Sequence, residues 1–196
     1  MKKKSQNTID FPSLEILKKE LKRERYKRRF RRILRSTVNA LIVVAAVAAL
    51  IATLVLPVLQ IAGISMEPNL NDGDVVVLMK TNRLSTGDLC AFYYSNKILI
   101  KRIIGAPGDF LWINDDGTVY LNGSELSEPY ISQKSLGECD IEFPYQVPEN
   151  YYFMMGDHRE TSIDSRSSVI GCIAEDQIIG KILFRIWPLN DFLWVG

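Results

Sequence analysis

Apolar and polar positions follow three regimes along this chain. Over residues 12–35, Leu14, Leu17 and Leu21 recur on one helical face, and Pro12-Ser13 supplies a start signal with Ser13 as N-cap. Beyond Lys22 that segment is dominated by Arg and Lys. Residues 38–59 then run for 22 positions without a charge, long enough as a helix to cross roughly 30 Å of hydrocarbon. A cleavable leader has an apolar stretch of about 7–15 residues, and a core helix is seldom apolar all round for this length. The run therefore predicts a membrane-spanning helix over 38–59.

The third regime consists of short β-like runs separated by turn signals. Asn71-Asp-Gly-Asp74 leads into residues 75–79, Thr86-Gly-Asp88 precedes 89–94, and Asn96 separates that run from 97–104. Asp115-Asp-Gly117 and Asn122-Gly123 punctuate residues 110–121, and 151–155 read as a buried strand. No helical periodicity of useful length follows Leu59. These runs predict a mainly β class: an antiparallel, sheet- or barrel-like domain over 60–196 behind one anchor helix.

Charge changes the picture by giving the anchor a direction. The formal net charge is only +1, yet residues 1–35 hold 14 of the 24 Lys/Arg and four of the 23 Asp/Glu. A tail this basic calls for an anionic partner, nucleic acid or a lipid surface. The apolar run directly behind it selects the lipid bilayer over nucleic acid. The positive-inside rule then puts residues 1–37 in the cytoplasm and 60–196 outside, as a single-pass protein of the cell membrane. Cys90, Cys139 and Cys172 fall on the outer side; an odd number leaves at least one thiol unpaired. Cys90, in an apolar run, reads as a buried structural thiol. No metal-ligand spacing occurs, and no cofactor is implied.

Two residues propose a reaction. Ser65 stands in Ile61-Ala-Gly-Ile-Ser-Met-Glu-Pro-Asn-Leu70, and Lys101 in Ile100-Lys-Arg-Ile-Ile-Gly-Ala-Pro-Gly-Asp109. A serine attacks a peptide carbonyl only if a base takes its proton, and a lysine kept neutral by apolar surroundings is such a base. On a strand, Lys101 shares a face with Leu99 and Ile103 while Arg102 points away. Spacing alone is equally consistent with an ordinary strand-edge lysine. Gly63 permits an unusual backbone conformation or close approach by a substrate, and Pro68 stiffens the turn after the serine. A third polar stretch, Gly156-Asp-His-Arg-Glu-Thr-Ser-Ile-Asp-Ser-Arg166, follows the apolar run 151–155. Its groups must satisfy one another, which suggests the charge-assisted pairs Asp157–Arg159 and Asp164–Arg166.

Taken together, these stretches resemble the ordered sequence boxes of the bacterial type I signal peptidases, membrane enzymes that remove signal peptides from exported precursors. Gly-Ile-Ser-Met-Glu-Pro resembles the nucleophile box, Asn-Asp-Gly-Asp-Val-Val-Val-Leu the strand after it, Lys-Arg-Ile-Ile-Gly-Ala-Pro-Gly-Asp the lysine box, and Gly-Asp-His-Arg-x-x-Ser-x-Asp-Ser-Arg the final box. The resemblance covers nearly all of residues 60–190, and the short interval from Asp109 to Gly156 matches the compact, single-span members. It implies Ser65 as nucleophile, Lys101 as general base and Ser162 as the hydroxyl that orients the lysine amine. It further implies a structural Asp164–Arg166 salt bridge, an oxyanion hole using the Ser65 N–H, and shallow pockets for small side chains lined by Ile61, Met66, Leu99 and Ile100. Exported precursors and the lipid bilayer would be the partners.

Three departures from the family pattern stand out. Gly63 takes the place where some members carry a serine hydroxyl for the oxyanion hole. Asn69 replaces the usual threonine after Pro68. His158 replaces the usual asparagine; as the only histidine, beside Asp157, it keeps a Ser–His–Asp site open. A specialised processor of surface proteins or a non-catalytic binding relative are the competing functional readings. At the C-terminal end, Trp187, Phe192 and Trp194 are candidates for the lipid interface, with core packing expected of Trp187.

Overall fold

The computed structural model describes residues 14–189 and 193–194. The expected cap Ser13 and the interface candidate Phe192 lie outside the described residues. The chain divides into two compact units, ending and beginning at Ile51 and Ala52.

The first unit is helical. Helix α1 runs Leu14–Val55 without interruption, 42 residues and about 60 Å at 1.5 Å per residue. Leu41, Ile42, Val43, Val44, Val47, Leu50 and Ile51 are all exposed. The helix is long and apolar enough to cross a membrane. It ends four residues before the expected limit of 59. Pro57 cannot donate a backbone hydrogen bond and drives the residue before it out of the α region, and Val58 and Leu59 enter a strand instead.

The second unit is built from antiparallel strands: β1 (Val58–Gln60), β2 (Val75–Met79), β3 (Leu89–Tyr94), β4 (Lys97–Gly105), β5 (Phe110–Ile113), β6 (Val119–Leu121), β7 (Ser124–Glu125), β8 (Tyr145–Gln146), β9 (Tyr151–Met155), β10 (Ile173–Ala174), β11 (Ile178–Trp187) and β12 (Leu193–Trp194). The larger sheet has the order β1-β2-β11-β3-β4-β9-β10, with β12 also on β11; the smaller is β7-β6-β5-β8. Among these strands lies a 3-10 turn at Glu175–Gln177. The mainly β, antiparallel expectation holds.

Local sequence explains the register that matters. Ser95 and Asn96 both take positive φ, 43° and 65°, the backbone of a two-residue hairpin whose twist matches its strands. That turn locks β3 to β4 so that Cys90 faces Lys101 and Leu89 faces Arg102. Strand β3 is buried on both faces: Leu89 and Ala91 join Ile61, Met66, Leu70, Val76, Leu78 and Ile182 in one core cluster, while Cys90 and Phe92 join Ile103 and Met154 in another. Burial pushes the Cys90 thiol up to about 12, so it behaves as an inert apolar filler. Cys139 and Cys172 are likewise free thiols.

Candidate active site

Ser65 sits on a tight turn between β1 and β2. Glu67 N–H donates to Ile64 O (3.1 Å) and Leu70 N–H to Met66 O (3.0 Å), and buried Met66 and Leu70 pin the turn to the sheet. Gly63, just ahead, has φ +100°, a conformation that side chains disfavour, so glycine is required there for backbone reasons. Its N–H donates to Asp72 Oδ1 at 2.8 Å.

Lys101 reaches this turn from β4. Its Nζ donates to Ser65 Oγ at 2.7 Å, although the residue is only 4% exposed. Burial lowers the amine from an ordinary 10.5 to about 8; Asp164 and Asp157 pull it upward and Arg166 pushes it down. Desolvation outweighs the carboxylates because both are already neutralised by arginines of their own. A neutral amine within hydrogen-bond reach of a serine hydroxyl can take its proton.

Ile61, Met66, Leu99 and Ile100 line one cavity of about 190 Å³ together with Ser65 and Lys101. All four pocket residues expected from the family resemblance are thus gathered around Ser65 and Lys101.

The final polar stretch closes the site from the other side. Gly156 lies where a Cβ would come 2.2 Å from Ser162 Oγ and 2.6 Å from Ser65 O, so only glycine lets these strands meet. His158 N–H donates to Ser65 O (3.1 Å) and Ser162 N–H to His158 O (3.1 Å). Asp164 and Arg166 form the expected pair, Nε to Oδ1 and Nη2 to Oδ2 each at 2.8 Å, with both side chains fully buried.

The structure corrects one other expectation. Asp157 does not pair with Arg159. Both its oxygens receive the Arg102 guanidinium, Nε to Oδ1 at 2.8 Å and Nη2 to Oδ2 at 2.6 Å, while Arg159 pairs with Glu128. Arg102, sent to the opposite face from Lys101, comes to meet Asp157. The buried Oγ of Ser162, expected to orient the lysine amine, makes no hydrogen bond in this state, and neither does the buried His158 Nδ1. With Asp157 held by Arg102 and Ser65 Oγ by Lys101, the Ser–His–Asp arrangement is not assembled.

Sequence reasoning missed a strap over this polar core. Tyr130 stacks on Arg102, with the guanidinium carbon 4.0 Å from the ring centroid, and Arg166 Nη1 donates to Leu136 O at 2.6 Å. Asn69 Nδ2 donates to Tyr130 O (2.6 Å) and to Asp157 Oδ2 (2.7 Å). The partners lie 28 to 88 residues apart, so no local pattern announces them; only the unusual Asn69 carried a signal.

Comparison with known proteins places the chain in a family. The family model for signal peptidase, peptidase S26, matches residues 34–187. Signal peptidase IB of Staphylococcus aureus is 37% identical over 153 residues, covering 67% of this chain and 78% of that protein. Signal peptidase I T of Bacillus subtilis is 38% identical over 144 residues, covering 67% of this chain and 74% of that protein. A crystal structure of a signal peptidase I from Enterococcus faecalis aligns with a TM-score of 0.43 at 29% identity, covering 50% of this chain and 96% of that one. The chain belongs to the signal peptidase family, peptidase S26.

Proposed function

We propose that Ser65 is the nucleophile and Lys101 the general base of this membrane-anchored serine endopeptidase, which removes signal peptides from exported precursors. One observation carries the assignment: the 2.7 Å hydrogen bond between Lys101 Nζ and Ser65 Oγ, made by an amine that burial brings to about 8. The precursor docks in extended form along the cavity of Ile61, Met66, Leu99 and Ile100, adding its backbone as a strand. Ser65 Oγ attacks the scissile carbonyl carbon as its proton passes to Lys101 Nζ. The Ser65 N–H stabilises the oxyanion. Lys101 then gives the proton to the leaving amine, and the mature protein departs. Neutral again, Lys101 deprotonates a water that hydrolyses the acyl-enzyme, returning the proton to Ser65.

Ser162 is assigned the role of orienting the amine, because a buried hydroxyl without a partner beside the site tends to be satisfied when the site rearranges around substrate. Asp157, Arg159, Asp164 and Arg166 build the site rather than react. The basic segment directs residues 1–37 to the cytoplasm and the peptidase domain outside. Trp187, 53% exposed rather than packed in the core, and Leu189 offer the domain an apolar edge for the lipid interface.

The test is precursor cleavage by the full-length protein. Ser65→Ala and Lys101→Ala each abolish it, and the double variant loses no more than either single one, because the pair acts as a unit. Near-normal turnover by Lys101→Ala would end the assignment.

A further inference from the structure

We infer that Asn69 is a positioning residue for the dyad, holding the nucleophile turn in register with the lysine strand through a carboxylate that both share. The inference rests on the Ser65–Lys101 reading. Asn69 closes the turn that begins at Ser65: its N–H donates to Met66 O at 3.1 Å, and its carbonyl accepts from Arg185 Nη1 at 3.2 Å. Its side-chain amide leaves the turn in two directions. One hydrogen bond reaches Asp157 Oδ2 at 2.7 Å, the other Tyr130 O at 2.6 Å.

Asp157 is the junction. It accepts the bidentate fork of Arg102, and Arg102 is the residue next to Lys101 on β4. It also stands between Gly156, which lies against Ser65 O, and His158, whose N–H donates to that same oxygen. Nucleophile turn, base strand and final polar stretch are therefore tied at one buried carboxylate, and Asn69 is the turn's own side-chain link to it. Tyr130 stacks on the same arginine, so the second hydrogen bond of Asn69 clamps the strap onto the joint.

The residue type matters chemically. An amide nitrogen carries two hydrogens and serves both acceptors at once; a threonine hydroxyl, with one, can serve a single acceptor. This chain thus couples the strap to the nucleophile turn by a bond that threonine could not add. Without it, the turn is free to shift relative to β4, water reaches the amine, and Lys101 recovers basicity.

The experiment compares Asn69→Ala, Asn69→Thr and Ser65→Ala in the full-length enzyme, with an Ala-x-Ala precursor peptide. Readouts are kcat, KM, the pH profile of kcat/KM and the thermal midpoint. Asn69→Ala is expected to lower kcat tenfold or more, leave KM within about twofold, and move the acid limb of the profile to higher pH. Asn69→Thr, keeping the tie to Asp157, should recover part of kcat and return the limb toward its original position. Unchanged kcat and pH profile in Asn69→Ala, with only a lower thermal midpoint, would reduce Asn69 to a structural role and overturn the inference. Should Asn69→Ala fail to fold, Asn69→Thr decides: unaltered kcat and profile overturn it, a fewfold fall in kcat supports it. Cleavage by Ser65→Ala would instead bring down the dyad reading.

Discussion

Replacing Lys101 by methionine should destroy the enzyme and stabilise the protein. Methionine keeps the unbranched shape that the cavity accepts and removes the charge. In the native fold Lys101 is 4% exposed and burial brings its amine from 10.5 to about 8. Each pH unit of that displacement is worth about 1.4 kcal/mol, so carrying the proton inside at pH 7 costs about 3 kcal/mol. Loss of the hydrogen bond to Ser65 Oγ returns about 1 kcal/mol, leaving a net gain of about 2 kcal/mol. For a chain of this size that corresponds to a rise of roughly 4–8 °C in the unfolding midpoint. The sign follows from proton linkage. Between pH 8 and 10.5 the unfolded chain still binds the proton and the folded one has released it, so wild-type stability rises with pH across that window. Lys101→Met lacks this rise, and its advantage is full below pH 8 and gone by about pH 10.5. The assay is thermal unfolding of both full-length proteins in the same detergent at pH 7 and 10.5, beside precursor cleavage. A variant less stable than wild type at pH 7, or an advantage that does not change with pH, would refute the claim that desolvation tunes this lysine.

The remaining predictions concern the site's activity and frame. Cleavage by the wild-type enzyme should fall about tenfold per pH unit well below pH 8, because only neutral Lys101 accepts the serine proton; a flat profile from pH 6 to 8, with chemistry rate-limiting, contradicts this. Gly156→Ala should cost at least 100-fold in kcat/KM, since its Cβ would overlap Ser162 Oγ and crowd Ser65 O; retained activity would show that the contact yields easily. Asp164→Asn leaves Arg166 with an uncompensated buried charge and should lower stability by about 3–5 kcal/mol in denaturant unfolding. His158→Asn should keep most activity, as its imidazole takes no part in the dyad, while Ser162→Ala should lose substantially more; His158→Asn as inactive as Ser65→Ala would favour histidine as the base.

What the sequence made legible was local or periodic. Strand runs at 75–79, 89–94 and 151–155 agree with β2, β3 and β9, because β-branched and aromatic residues bounded by Gly and Asn turns specify strands at short range. The Ser65–Lys101 pair was legible as ordered motifs, and the four residues lining the cavity beside it came from the family resemblance alone. Strand β11, central in the sheet, went unassigned because it pairs on both sides with strands made long before it. Polar pairing failed for the same reason. Asp164–Arg166 was readable as neighbours in one turn, but Asp157 chose Arg102, 55 positions away, over Arg159, two away. Alternation had already directed Arg102 away from Lys101; nothing in the sequence said what it would meet there. Glu128 and Tyr130 look like ordinary loop residues until the fold lays their segment over the arginines.

The place of β11 has a consequence for the timing of activity. Strands β1 and β2 carry the serine turn, β3 and β4 carry the lysine, and within the sheet the two halves are joined only through β11, which hydrogen-bonds to β2 on one edge and β3 on the other. Residues 178–187 emerge from the ribosome after both halves. A nascent chain can therefore hold a serine and a lysine, each on its own hairpin, without holding a protease. The β11 seam works as an assembly interlock, and hydrolysis waits until residues 178–187 have been made and have closed the sheet.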